Sequence, residues 1–107
     1  MYNLHYASLN LEGDIPCYDF ETHWKMTDFI DSVCYGRKRE CVWLIAKEGS
    51  NDVFISESYI NIQIFLNKMP LFNTVGNYFL QEYSSYEEAY KVALMINETS
   101  PLCYEPE

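Results

Sequence analysis

The sequence lacks features on which several common enzyme and nucleic-acid-binding classes depend. Its four glycines are scattered singly, so there is no glycine-rich loop of the kind that cradles a phosphate. Only 7 Lys and Arg residues stand against 16 Asp and Glu residues, and the formal net charge is −9. Direct binding to a nucleic acid is therefore not expected, because neutralising backbone phosphates requires clustered basic side chains.

Long apolar segments are also missing. The longest uninterrupted apolar run is Cys41–Ala46, far short of the roughly 20 residues that a membrane-spanning helix needs. The first residues, Met1–His5, have neither the basic stretch nor the apolar run of a secretory signal. We therefore expect no membrane association and a cytoplasmic location, in the host cytoplasm if the protein is viral.

The cysteines follow no disulfide or metal-binding pattern. They are Cys17, Cys34, Cys41 and Cys103. Structural zinc sites usually pair ligands about two to four residues apart, which fits neither Cys17 with His23 nor Cys34 with Cys41. In a reducing cytoplasm such cysteines are most simply free thiols. The sequence therefore predicts neither a metal nor another cofactor.

Candidate catalytic groups are few and have simpler explanations. Cys17 and His5 form a conceivable nucleophile and base, but nothing nearby in the sequence activates the thiol. The carboxylates of Asp28 and Asp31 are predicted to lie on the solvent face of a helix, whereas acid–base catalysis needs them in a cleft. The sequence therefore favours a protein that is not an enzyme.

Apolar and aromatic residues are abundant. They make up 49% and 17% of the chain, and ten residues are tyrosines. A chain of this length and apolar content can bury a core without disulfide or metal support. Because tyrosine joins an apolar ring to a polar tip, it suits half-buried positions and contact surfaces.

The charge is distributed unevenly along the chain. Residues 1–36 and residues 69–107 each carry a net charge of −5, whereas residues 37–68 carry +1. The acidic ends favour a protein partner with a basic surface. The basic run Arg37–Arg39 follows a predicted helix, whose dipole it would complement. Alternatively, this run would grip a phosphate or an acidic partner.

Hydrophobic periodicity and turn signals predict seven elements in the order β-α-β-β-α-β-α. The predicted strands cover residues 2–9, 41–47, 53–56 and 78–83, and the predicted helices cover residues 20–35, 59–68 and 86–97. Asp19, Ser58 and Ser85 are the expected N-caps, and Ser85 with Glu88 forms a capping box. The strand at 41–47 is apolar on both faces, which indicates a central position.

This order predicts an α+β fold. We expect a single two-layer domain over residues 1–97, with helices packed on an antiparallel or mixed sheet. Residues 98–107, which contain two prolines, are predicted to form an irregular acidic tail.

The last predicted strand and helix carry the most suggestive surface. Its residues are Glu82, Tyr83, Tyr86, Glu87 and Tyr90. Tyr86 and Tyr90 are one helical turn apart, and the two acids border them. An aromatic patch rimmed by carboxylates is typical of a binding site for a basic partner. The alternative is that the tyrosines only cover the edge of the core.

The second half of the chain resembles a known family. The segment Asp52–Ser58, the short predicted helix after it, and Gln81–Tyr83 with Glu87 and Glu88 are similar to the second half of small phage anti-CRISPR proteins. The resemblance extends over about residues 49–95. Proteins of this family mimic DNA in charge and occupy the DNA-binding face of a CRISPR nuclease. They open with a helix, whereas this chain is predicted to open with a strand.

Three functional hypotheses follow. The first is an acidic inhibitor or adaptor, such as a phage or viral anti-defence protein, that occupies a basic surface of a host protein. The second is a homo-oligomeric regulatory or structural module, for instance a homodimer whose tyrosine-rich patches pair with each other. The third is a small enzyme that uses a cysteine or a carboxylate.

Overall fold

Six strands and three helices lie within the residues that this computed structural model describes, which are 1–50, 53–68, 74–96 and 102–103. The strands are β1 Tyr2–Ala7, β2 Cys17–Phe20, β3 Val42–Lys47, β4 Val53–Ser56, β5 Gly76–Tyr83 and β6 Leu102–Cys103. The helices are α1 His23–Gly36, α2 Tyr59–Lys68 and α3 Tyr86–Ile96. No helix within these ranges is long and apolar enough to cross a lipid bilayer.

The strands form one mixed sheet in the order β2-β1-β5-β3-β4-β6. β1 pairs in parallel with β5, and β4 pairs in parallel with β6. The pairs β1–β2, β3–β4 and β3–β5 are antiparallel. The predicted α+β class, the single domain and the mixed sheet are confirmed.

The apolar strand β3 lies inside the sheet and is buried on both faces. Trp43 and Ile45 belong to a core cluster with residues of α1 and α2. Leu44 and Ala46 belong to a second cluster with Ala89 of α3. The helices therefore cover opposite faces, and the fold has three layers rather than the predicted two. A two-layer fold would leave one apolar face of β3 in water.

The start of α1 differs from the prediction. Cys17–Phe20, which we expected to precede and open the helix, forms β2 along the outer edge of β1. Asp19 is therefore a strand residue, and Thr22 is the N-cap, with its hydroxyl accepting a hydrogen bond from Lys25 N at 3.2 Å. The sequence signal was weak because β2 is short and mostly exposed, so its pairing depends on β1 rather than on local pattern.

The other two helix starts are as predicted. The Ser58 hydroxyl accepts from Asn61 N at 3.3 Å, and the Ser85 hydroxyl accepts from Glu88 N at 3.3 Å. The predicted tail, residues 98–107, is described only at Leu102–Cys103, which forms β6 against β4. The remainder of that tail, with residue 97, lies outside the described residues. The observed order is thus β-β-α-β-β-α-β-α-β.

Candidate functional site

Helix α3 sits close to the sheet through two small residues. Ala89 and Ala93 are buried against the apolar face formed by β3 and β4. Because alanine adds little volume, the backbone of α3 approaches the sheet and the larger side chains project along the sides of the helix. The N-cap Ser85 fixes where the helix begins. The negative charges of Glu87 and Glu88 in the first turn stabilise the helix, because its dipole is positive at this end.

Three tyrosines pack around the edge of this contact. The rings of Tyr86 and Tyr90 stack, with centroids 6.0 Å apart and an interplanar angle of 25°. Both are half-buried, and both pack against the same core cluster as Tyr83. The Tyr83 hydroxyl donates to Gln81 Oε1 at 2.5 Å, and burial followed by the nearby Glu88 raises the pKa of Tyr83. The rings are therefore held in place rather than free.

The outward face of α3 carries both acidic and apolar side chains. The Glu87 side chain is 80% exposed and lies 3.5 Å from Lys91 Nζ. An exposed pair of this kind contributes only about 0–1 kcal/mol, so it leaves the carboxylate available to a partner. Leu94 and Met95 are also exposed, Met95 at 83%. We call Tyr83, Tyr86, Glu87, Tyr90 and Leu94, which share one side of α3 and the end of β5 next to it, the tyrosine surface.

Glu82 does not belong to the tyrosine surface, contrary to the prediction. Strand residues alternate between faces, so Glu82 shares the face of Tyr78 and Leu80 and not that of Tyr83. Its side chain is 0% exposed. Therefore it cannot act as a carboxylate at the rim of a binding surface.

Glu82 is instead the centre of a buried polar network. Its Oε1 lies 2.9 Å from Arg37 Nε and accepts from Leu9 N at 2.9 Å. Its Oε2 accepts from the Tyr6 hydroxyl at 2.7 Å. Burial, and then the hydrogen bond to Glu82, raise the pKa of Tyr6. Burial, and then the Glu82 charge, raise the pKa of Cys41 to about 11. The network joins β1, the end of α1 and β5.

The basic run therefore has divided roles. Arg37 is the C-cap of α1 and is held by Glu82. Lys38 places Nζ 4.6 Å from the centroid of the Tyr35 ring, a cation–π contact. Arg39 is exposed and has a φ of 71°, a conformation that few residues other than glycine adopt. If this run binds a phosphate or an acidic partner, only Lys38 and Arg39 are available to do so, because Arg37 is paired with Glu82.

The conceivable nucleophile pair comes together but is not activated. Cys17 Sγ lies 3.9 Å from His5 Nε2, since the two residues pair across β1 and β2. The thiol also donates to Asp19 Oδ1 at 3.8 Å. Desolvation, and then Asp19, raise the pKa of Cys17. A nucleophilic cysteine needs the opposite shift, because the thiolate is the reactive form.

The remaining described cysteines offer no better nucleophile. Cys34 and Cys41 are buried, and burial is the largest cause of the raised pKa of each. In the part of the chain that the structure describes, no three His, Cys, Asp or Glu side chains are grouped so as to hold a metal ion. The geometry thus provides no activated catalytic group at these positions.

Comparison with known proteins returned no relatives. No protein-family model, no curated protein and no solved structure matches the chain. The function is therefore argued from the residues of this chain.

Proposed function

We propose that the protein is a binding module, an acidic inhibitor or adaptor, that docks its tyrosine surface on a basic surface of another protein. The observation that carries the proposal is the stacked pair Tyr86 and Tyr90 next to the exposed carboxylate of Glu87 on one helix. Interface hot spots are enriched in tyrosine, and they are usually surrounded by a polar rim.

The rigidity of the site supports the proposal. Tyr86 and Tyr90 are stacked on each other and packed against the core, and Tyr83 is tied to Gln81. Ordering a flexible side chain on binding costs about 0.5–1.5 kcal/mol. Side chains that are already ordered avoid most of that cost, so the tyrosines are suited to act as anchors.

The charge of the chain supports a basic partner. A net charge of −9 creates a field that attracts positive surfaces and speeds their encounter. Glu82, which is among the acids that carry the resemblance to anti-CRISPR proteins, is buried. Mimicry of DNA phosphates would therefore depend on exposed carboxylates such as Glu87 and Glu88.

Site-specific crosslinking in the native cell tests the proposal. A photoreactive amino acid replaces Tyr90 in one variant and Trp24 in the other. Trp24 is a matched control because it is an exposed aromatic residue (66%) on α1, on the opposite side of the sheet from α3. We expect a defined partner to crosslink at position 90 and not at position 24.

Two results would contradict the proposal. The same adducts at both positions would show that contact with α3 is not selective. Adducts at position 90 that contain only a second copy of this chain, with a dimeric mass in solution, would favour a homodimer that pairs through the tyrosine surface.

A further inference from the structure

Two strand–helix connections, which follow the strands on either side of β3, diverge at one edge of the sheet. β4 and β5 are both antiparallel to β3, so they run in the same direction and end at the same edge. β4 leads into α2 and β5 leads into α3. Since α2 and α3 pack on opposite faces of the sheet, a crevice opens between their first turns. In open parallel sheets, ligands bind beyond the carboxyl ends of strands at such divergences; here the antiparallel β3 lies between the two strands.

A cleft of about 610 Å³ occupies this position. Its lining includes Lys38, Arg39, Glu57, Ser58, Tyr59 and Ser84. They come from the connection between α1 and β3, from the end of β4 with the start of α2, and from the end of β5. The volume is within the range of roughly 300–1,000 Å³ that small-molecule sites occupy.

The cleft carries two cations that are not committed to an ion pair. Arg37 is held by Glu82, and its Nη2 lies 3.8 Å from Glu40, another residue of the lining. By contrast, neither Lys38 nor Arg39 forms an ion pair with a carboxylate in the described ranges. The ring contact with Tyr35 holds the Lys38 ammonium near the cleft. Two such charges are available to an anion.

The first turn of α2 adds hydrogen-bond donors. The first amide groups of an α-helix have no acceptor within the helix, and the helix dipole is positive there. Ser58 N is satisfied by Ser56 Oγ at 2.9 Å, and Asn61 N is satisfied by Ser58 Oγ at 3.3 Å. Tyr59 and Ile60, between them, line the cleft. Their position matches that of anion-binding amides at helix starts.

We propose that this cleft binds a small organic phosphate, with Lys38, Arg39 and the first turn of α2 holding the phosphate. The apolar lining, which includes Val42 and Ile60, would contact the organic part. A small ligand is favoured over a nucleic acid because the net charge of −9 repels an extended polyanion. The expected ligand therefore combines one small phosphate group with an apolar organic part.

Glu57 gives the proposal a distinctive signature. It lines the cleft, it is exposed, and it forms no ion pair among the described residues. Its negative charge opposes a bound phosphate. Neutralising Glu57 should therefore strengthen binding, whereas a merely structural role for this residue would not.

NMR titration of the purified protein tests the site directly. The probes are phenyl phosphate, adenosine monophosphate and inorganic pyrophosphate, each added at constant ionic strength with chloride as the compensating ion. We expect saturable shifts with phenyl phosphate or adenosine monophosphate at the amides of residues 38–42 and 57–60, and weaker binding of pyrophosphate, which has no organic part; binding of pyrophosphate alone would contradict an organic ligand. No saturable shift with any probe, or shifts centred elsewhere, would overturn the proposal.

Variants distinguish a specific site from general attraction. Lys38→Met with Arg39→Asn removes both cations, and asparagine tolerates the positive φ of position 39. We expect this variant to bind the probe about tenfold or more weakly. Glu57→Gln should bind more tightly, and the remote, exposed Lys25→Gln should bind as the unaltered protein does. Equal affinities of the Lys38/Arg39 variant and the unaltered protein would contradict the assignment.

Discussion

The Glu82 network makes a quantitative prediction about stability. Replacing Glu82 with leucine leaves the Arg37 charge without its ion-pair partner, and the Tyr6 hydroxyl and Leu9 N without their hydrogen-bond acceptor. Removing one partner of a buried ion pair typically costs about 3–5 kcal/mol. The Arg37 side chain is 32% exposed, so water can take over part of its solvation. We therefore expect the lower end of that range, about 3 kcal/mol.

The free energy of unfolding is measured by urea denaturation, and the thermal midpoint by heating; tryptophan fluorescence and circular dichroism monitor both transitions. For a domain of this size, a loss of about 3 kcal/mol lowers the thermal midpoint by about 13 °C. Glu82→Gln keeps the side-chain volume and an acceptor oxygen, so it should cost less than Glu82→Leu. Glu87→Gln is the matched control, because its exposed pair with Lys91 contributes about 0–1 kcal/mol.

The result that refutes this reasoning is specific. A loss below about 1 kcal/mol for Glu82→Leu would show that the ion pair and its hydrogen bonds contribute no more than a surface pair does. Equal losses for Glu82→Leu and Glu87→Gln would lead to the same conclusion.

Three further predictions concern the core and the thiols. Trp43 is 0% exposed in an interior strand, so Trp43→Ala should cost about 3–5 kcal/mol in the same urea assay; a cost below about 1 kcal/mol would contradict its burial. Among the described cysteines only Cys17 is exposed, so Cys17→Ser should remove one thiol that reacts fast with Ellman's reagent. Cys34 and Cys41 should react only when the protein unfolds. Because these thiols are free, a reductant should barely change the thermal midpoint of unfolding. Fast reaction of either buried thiol in the folded protein would count against the core packing. Burial favours the neutral form of Cys41 and raises its pKa to about 11 in the folded state, above the value of about 8.5 in an unfolded chain. The corresponding stability is present below about pH 8.5 and is lost as the pH rises towards 11. Cys41→Ser should therefore lose less stability than the unaltered protein over that interval, and identical pH profiles would contradict the assignment.

Local pattern predicts those parts of the fold whose causes are local. The continuous apolar sequence of β3 predicts an interior strand because both of its faces must be covered. Ser58 and Ser85 are identified as N-caps because a cap depends on residues only a few positions away. The strand β2 has no comparable signal, since its four residues are stabilised by pairing with β1.

The candidate site also combines features that local sequence predicts with features that depend on distant contacts. The helical spacing of Tyr86 and Tyr90 predicts their contact, which the structure contains. The prediction for Glu82 is wrong because it takes a charged side chain to be an exposed one, whereas this side chain is 0% exposed. Its alternation with Tyr78 and Leu80 already placed it on a buried face, where a carboxylate requires a basic partner. That Arg37 is the partner could not be read from spacing, because the contact joins β5 to the distant end of α1.

The tyrosine surface also depends on a feature that periodicity does not supply. The sequence pattern of α3 defines which side of the helix is apolar, but not which face of the sheet it covers. β5, α3 and β6 form a crossover between strands that run in the same direction, and the chirality of such crossovers places the helix on one face. Because β6 was not predicted, this constraint was missing.

The most direct test of the proposed function uses the partner that crosslinks at position 90. Once that partner is purified, its affinity for this protein and for variants of the tyrosine surface is measured by surface plasmon resonance. We expect Tyr86→Ala with Tyr90→Ala, checked for folding by circular dichroism, to lose about 2 kcal/mol, or roughly thirtyfold in affinity, mainly through faster dissociation. Glu87→Gln with Glu88→Gln should slow association at low salt and have little effect at high salt. Unchanged affinity of the folded double tyrosine variant would contradict the assignment of the tyrosine surface as the binding site.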